Sequence, residues 1–119
     1  MAQKRMFNRA VTESDTFLEL SPEAQALYFH LCMAADDDGF IGSRKAIERM
    51  VGVGEEAYQA LIQAGLLIQF PSGTSLVRHW NLHNRVAADR YHPTLFREEW
   101  SQVTAQDGVY RLNIEPQGA

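Results

Sequence analysis

The sequence predicts a mainly α fold with a small β component, α+β in class, on three observations. A long amphipathic helix pattern begins behind Ser21-Pro22. Two shorter helical patterns follow it and are separated by Gly52-Val53-Gly54. Two apolar, β-branched or aromatic runs then flank a Pro-Ser-Gly turn. The chain has 119 residues, of which 45% are hydrophobic and 22% charged, and this suits one globular domain with a real core.

The N-terminal stretch, Met1 to Arg9, is basic but lacks the apolar run and cleavage site of a secretory signal. Ser14 is placed to cap a short helix that turns Phe17, Leu18 and Leu20 inward. The main helix is expected from Pro22 to about Ala35. Ser21 is its N-cap, Pro22 suits its first position, and Glu23 complements the positive helix end. Ala24, Leu27, Tyr28, Leu31, Cys32 and Ala35 recur at i, i+3, i+4, i+7, i+8 and i+11, which makes one broad apolar face.

Asp36-Asp37-Asp38-Gly39 stops that helix, and Phe40-Ile41 reads as a very short strand. A second helix starts at a Ser43 cap and puts Ile47, Met50 and Val51 on one face. A third, from Glu55 to Ala64, buries Ala57, Tyr58, Leu61 and Ile62, with Gly65 as a left-handed C-terminal residue. Leu66 to Phe70 and Ser75 to Trp80 form a β-hairpin about the turn Pro71-Ser72-Gly73-Thr74. A last short helix is expected from Pro93 to Trp100. The order helix, strand, helix, helix, hairpin is that of a winged helix-turn-helix with a β-hairpin wing and flanking helices. That domain is assigned to residues 1–112, including a short N-terminal extension, and the polar tail 113–119 is expected to fray.

The net charge is −4, but its distribution matters more. Residues 10–43 hold seven acids (Glu13, Asp15, Glu19, Glu23, Asp36, Asp37 and Asp38) and neither Lys nor Arg. Lys4, Arg5 and Arg9 precede this block, and Arg44, Lys45 and Arg49 follow it. Arg78, Arg85, Arg90 and Arg97 stand in residues 76–97 against Asp89 alone. The third helix, which reads the major groove in many winged helices, offers Glu55, Glu56, Gln59 and Gln63 and no cation, so it favours packing or self-assembly over base reading. The candidate nucleic-acid-binding residues are therefore Arg78 on the wing, Arg85 and Arg90 beyond it, Arg44, Lys45 and Arg49 on the second helix, and Lys4 and Arg5. Solvated charges, or pairs to Glu48 and Asp89, are the alternative reading.

Other constellations resolve to structure. A calcium loop with Gly39 at its sixth position would need an acid at residue 34 and Glu at 45, where Ala34 and Lys45 stand; a tight turn with Asp side chains on local amides fits instead. A charged docking surface is its minor alternative. His79 and His83 have helical zinc-pair spacing, but His79 is expected on a strand and no cysteine completes a site. Cys32, the one cysteine, sits on the apolar helix face as a core residue and suits a reducing compartment. Trp80, Tyr91, Phe96 and Trp100 suit a satellite core or an oligomer interface, with stacking on unpaired bases as the alternative. No nucleophile–base set or phosphate loop is present, so the chain is expected to be a non-enzyme without cofactor or metal. No apolar run has membrane-spanning length, and a cytoplasmic location is expected.

Several segments resemble the N-terminal domain of phage replisome organisers, a family related to the DnaD-like N-terminal winged helix. They are Lys4-Arg5-Met6-Phe7, Ser14-Asp15 with Phe17-Leu18, Gln25 to Leu31, Ala35 to Phe40, His79-Trp80 to His83-Asn84, and Asp89-Arg90-Tyr91 with Pro93-Thr94. The likeness runs from about residue 4 to residue 112. It implies an accessory role in phage or prophage replication initiation: binding DNA, double-stranded by expectation, self-associating as dimer or tetramer, and meeting initiator or helicase-loading proteins. The family places much of its DNA binding in a second, C-terminal domain, and these 119 residues hold none. Two alternatives stand beside this, an oligomerisation or protein-interaction module with little DNA binding of its own and a small phage transcription regulator.

Overall fold

Helix caps and a single broad apolar stripe organise the first half of the protein. The structure, a computed structural model, describes residues 2–114, so the tail expected to fray from 113 lies, beyond residue 114, outside the described residues. The fold is α+β, with seven helices and two small antiparallel sheets among the described residues. Asn8 caps α1 (Arg9–Thr12) and Ser14 caps α2 (Asp15–Leu18), each side-chain oxygen accepting a backbone N–H. Phe17 turns into the core as expected, whereas Leu18 is 55% exposed, because a single-turn helix has only one inward side. The main helix, α3, spans Pro22–Ala34, and the Ser21 hydroxyl accepts from the Ala24 N–H at 3.1 Å. All six residues of its expected apolar face are buried. Each of its leucines contributes about 2 kcal/mol of transfer free energy.

Strand β1 (Phe40–Ile41) leads into α4 (Arg44–Val51). Here the expected face is corrected: Met50 is 66% exposed and Glu48 is buried. The inward stripe runs Arg44, Ile47, Glu48 and Val51, and the Arg44 guanidinium neutralises Glu48 at 2.7 Å, which makes the burial of a carboxylate tolerable. Ser43 makes no side-chain cap. Helix α5 (Glu55–Gln63) buries Ala57, Tyr58 and Leu61 and ends at Gly65 with φ +77°.

The hairpin forms from β2 (Leu67–Gln69) and β3 (Ser75–Val77), and β1 joins it to give the strand order β1-β3-β2. Leu76 lies opposite both Phe40 and Ile68. The strand expected to reach Trp80 stops at Val77. Residues Trp80–His83 form α6 instead, with the Trp80 ring seated against Gly39 and its indole N–H donated to the Asp37 carbonyl at 2.9 Å. Only glycine fits at 39: φ is +96°, and a Cβ there would lie 2.7 Å from Trp80 Cγ.

The last helix, α7, covers only Arg97–Trp100 and not Pro93–Trp100. Thr94 is held by the acidic loop, through its N–H to Asp38 and its hydroxyl to Asp36, which keeps the preceding residues out of helical geometry. An unforeseen second hairpin follows, β4 (Val103–Gln106) and β5 (Val109–Leu112), turning at Asp107 and Gly108 with φ +54° and +81°. Tyr110 ties it to the main body: its N–H donates to Arg78 O at 2.8 Å and its hydroxyl to Asp38 O at 2.9 Å. Among the described residues no helix is long and apolar enough to cross a membrane.

Candidate nucleic-acid interface

The sheet register sorts the candidate cations into two groups. Ser75 pairs with Ile41 and Gln69 at the turn end, while the Val77 N–H donates to Gly39 O at the other. Arg44 and Lys45 follow β1 at the turn end. Arg5, Arg78 and Arg85 gather with the Asp36–Gly39 loop at the opposite end, where Lys4 precedes Arg5 and Arg90 precedes Tyr91, whose hydroxyl bonds to Asp38.

The turn end is unfavourable for phosphate. Glu55 and Glu56 are exposed in the first turn of α5, and the Ser72 hydroxyl at the tip of the β2–β3 turn donates to Glu99 at 2.6 Å. That bond keeps the Glu99 carboxyl below its usual range, as hydrogen bonds from Gln59 and then Arg44 do for Glu55. Both therefore stay anionic. Arg44 is taken up by the fold: it reaches Glu48 at 2.7 Å and Glu55 at 2.9 Å, with its guanidinium carbon 3.8 Å from the Tyr58 ring centre. Lys45 is exposed and 3.9 Å from Glu55, and Arg49 is exposed.

The opposite end is built around the acidic loop. Asp36 accepts the N–H groups of Asp38 and Phe40, the local turn expected of it. The other carboxylate oxygens also take donors from the protein's own chain. Asp37 takes Arg5 at 3.2 Å and the His92 N–H at 3.0 Å, and Asp38 takes the Tyr91 hydroxyl at 2.8 Å and the Thr94 N–H. Burial followed by the Asp38 carboxylate pushes the Tyr91 phenol up to about 12, so it remains a donor. Arg5 is therefore a structural residue. Its guanidinium donates to Ala35 O at 2.8 Å and lies 5.0 Å from the Trp80 ring centre, buried away from solvent. Arg78 is half-buried at the base of β3, not out on the wing, and its Nη1 donates to Tyr110 O at 3.1 Å.

Lys4, Arg85 and Arg90 remain exposed at this end, and no ion pair engages them among the described residues. Arg85 borders an open groove of about 690 Å³, walled by Asp37 and Asp38 of the loop, Asn81 of α6, Asn84, Val86 and Tyr91. Of these, the sequence offers Tyr91 only as one of four rings that could stack on unpaired bases, and it offers no signal for Asn81 and Asn84, whose surroundings come from residues far along the chain. Asp107-Gly108 was a legible signal, since Asp-Gly between strand-forming residues marks a tight hairpin.

The histidine pair is internal. His79 is the N-cap residue of α6, off any strand. His83 accepts the Asn8 N–H at Nδ1 (2.8 Å), so its neutral ring carries the proton at Nε2, 2.8 Å from the Tyr28 hydroxyl. Burial, with a smaller push from His79, lowers His83 to about 4. Cys32 is a fully buried core residue, its thiol raised to about 12 by burial. Trp80 is core, while Phe96 and Trp100 pack on Phe40 in an aromatic cluster, leaving Tyr91 the one exposed ring of the four. Comparison of the chain with protein-family models, curated proteins and solved structures finds no match in any of the three.

Proposed function

We propose that the protein is a winged-helix accessory of DNA-replication initiation, of the replisome-organiser type, that holds duplex DNA on the surface bearing Lys4, Arg85 and Arg90. The order α3, β1, α4, α5, β2, β3 with sheet order β1-β3-β2 supports the winged-helix reading. One observation carries the choice of surface: the acids at that end are engaged by the protein's own groups, while its exposed arginines are not. Helix α5 and the β2–β3 turn present carboxylates and are disfavoured.

Fluorescence anisotropy with a labelled duplex, over about 50 to 200 mM salt, tests this. Arg85→Ala and Arg90→Ala should each lower the slope of log K against log salt by about 1, and Arg49→Ala should leave it unchanged. An unchanged slope in both Arg85→Ala and Arg90→Ala overturns the reading.

A second reading, a self-assembling module that recruits initiator or helicase-loading proteins, is favoured by the exposed Met6, Phe29 and Met33. Phe29 and Met33 are one turn apart on α3, and Phe7 rests on Phe29 at 5.0 Å. A monomeric sedimentation profile at high protein concentration sinks it.

A further inference from the structure

The groove beside Arg85 carries the proposal beyond duplex binding, and it rests on the nucleic-acid reading above. It is lined by Val86, Ala87 and Tyr91, and Tyr91 is 37% exposed. Asn81, which is exposed, and Gly108 of the β4–β5 turn line it as well. At about 690 Å³ it has room for a planar base with its sugar.

Its charge layout is directional. Arg85 is exposed, whereas Asp37 and Asp38 stand as largely buried carboxylates in the wall. A phosphate driven inside would meet two anions; one held outside at Arg85 would not. A neutral base suits the interior. Each carboxylate meets only two donors of its own chain, Arg5 and the His92 N–H for Asp37 and the Tyr91 hydroxyl and Thr94 N–H for Asp38, fewer than its oxygens can take, so acceptor capacity remains.

Asn84 adds an independent observation. It is 7% exposed, and its Oδ1 accepts the Met6 N–H at 2.8 Å, which fixes the orientation of the amide. Its Nδ2 has no partner among the described residues, although the residue lines the groove. An unanswered buried donor is uncommon in a finished core and marks a place where a partner is expected.

We propose that this groove receives an unpaired base of single-stranded nucleic acid. The base stacks on Tyr91, its 5′ or 3′ phosphate lies on Arg85, and its edge meets Asn81 and the carboxylate wall. The exocyclic amino group of cytosine offers two N–H donors to that wall where thymine offers only its N3–H between two carbonyls that the carboxylates repel, so cytosine is held better than thymine.

The test is anisotropy with short oligo(dC), oligo(dT) and duplex probes at one salt concentration. Wild-type protein should bind oligo(dC) about five-fold more tightly than oligo(dT). Tyr91→Ala should weaken oligo(dC) binding about ten-fold with little effect on duplex, while Tyr91→Phe, which keeps the ring and loses the Asp38 bond, should stay within about two-fold of wild type. Asn81→Ala should reduce the preference for oligo(dC). Thermal melts confirm that each variant is folded. Equal affinity for the two oligonucleotides, or unchanged oligo(dC) binding by folded Tyr91→Ala, overturns the proposal. Duplex binding without single-strand binding refutes the groove alone; failure of every probe refutes the nucleic-acid reading with it.

Discussion

Acidification provides a direct test of the His83 arrangement. The ring is 3% exposed, and its Nδ1 accepts from the Asn8 N–H, so a second proton would set one N–H against another. The unfolded side chain titrates near 6.5 and the folded one near 4. Between those values the unfolded chain binds the proton more tightly. Stability is therefore complete above about pH 6.5, falls as the pH drops, and levels off below about pH 4. The full difference amounts to about 3 kcal/mol, of which about 2 kcal/mol is lost by pH 5. His79 is also lowered, by burial and then by Arg78, and adds in the same direction. The lowered carboxyls of Glu55 and Glu99 lose their contribution as the pH falls below about 4.5, so the interval from pH 7 to 5 isolates the histidines. Urea unfolding at half-unit pH steps, followed by tryptophan fluorescence, measures the slope. His83→Gln should flatten most of it. A wild-type stability that is level from pH 7 to 5, or a His83→Gln slope equal to that of wild type, refutes the reasoning.

Three further outcomes follow from named contacts. Gly39→Ala should cost about 2–4 kcal/mol in thermal or urea unfolding, since it combines a left-handed backbone with an overlap on Trp80. Arg44→Met should cost about 3 kcal/mol by leaving Glu48 buried without its partner, and adding Glu48→Met should recover most of that loss. Asp38→Ala should release residues 91–96 by removing the Tyr91 and Thr94 anchors. Limited trypsin cleavage after Arg90 and Arg97 should then accelerate about ten-fold or more, read by mass spectrometry.

Much of the chain up to the β2–β3 hairpin was legible because its information is local. The apolar face of α3, the Ser14 and Ser21 caps, the Gly65 terminus and the β2–β3 turn each depend on residues within a few positions of one another. Features set by contacts distant in sequence, or by a charge partner, were less so. A helix is expected to open at Pro93, a residue suited to a first helical position, but Thr94 bonds to a carboxylate 56 residues earlier, and that contact holds residues 94–96 outside the helix. Glu48 sits on the inward face against its hydropathy because Arg44, one turn back, accompanies it there.

The candidate site shows the same division more sharply. The sequence by itself determined which residues are cationic, that α5 carries acids and no base, and that the run 36–39 must turn. Only the tertiary structure decided which cations are free to meet a partner. Arg5 and Arg85 are the same residue type in similarly basic stretches, yet Arg5 is spent on Asp37 and Trp80 inside the fold and Arg85 remains on the surface. The reason is physical: an ion pair or ring contact is set by proximity in space, here across 32 residues for Arg5 and Asp37, and no pattern of neighbouring residues encodes that distance.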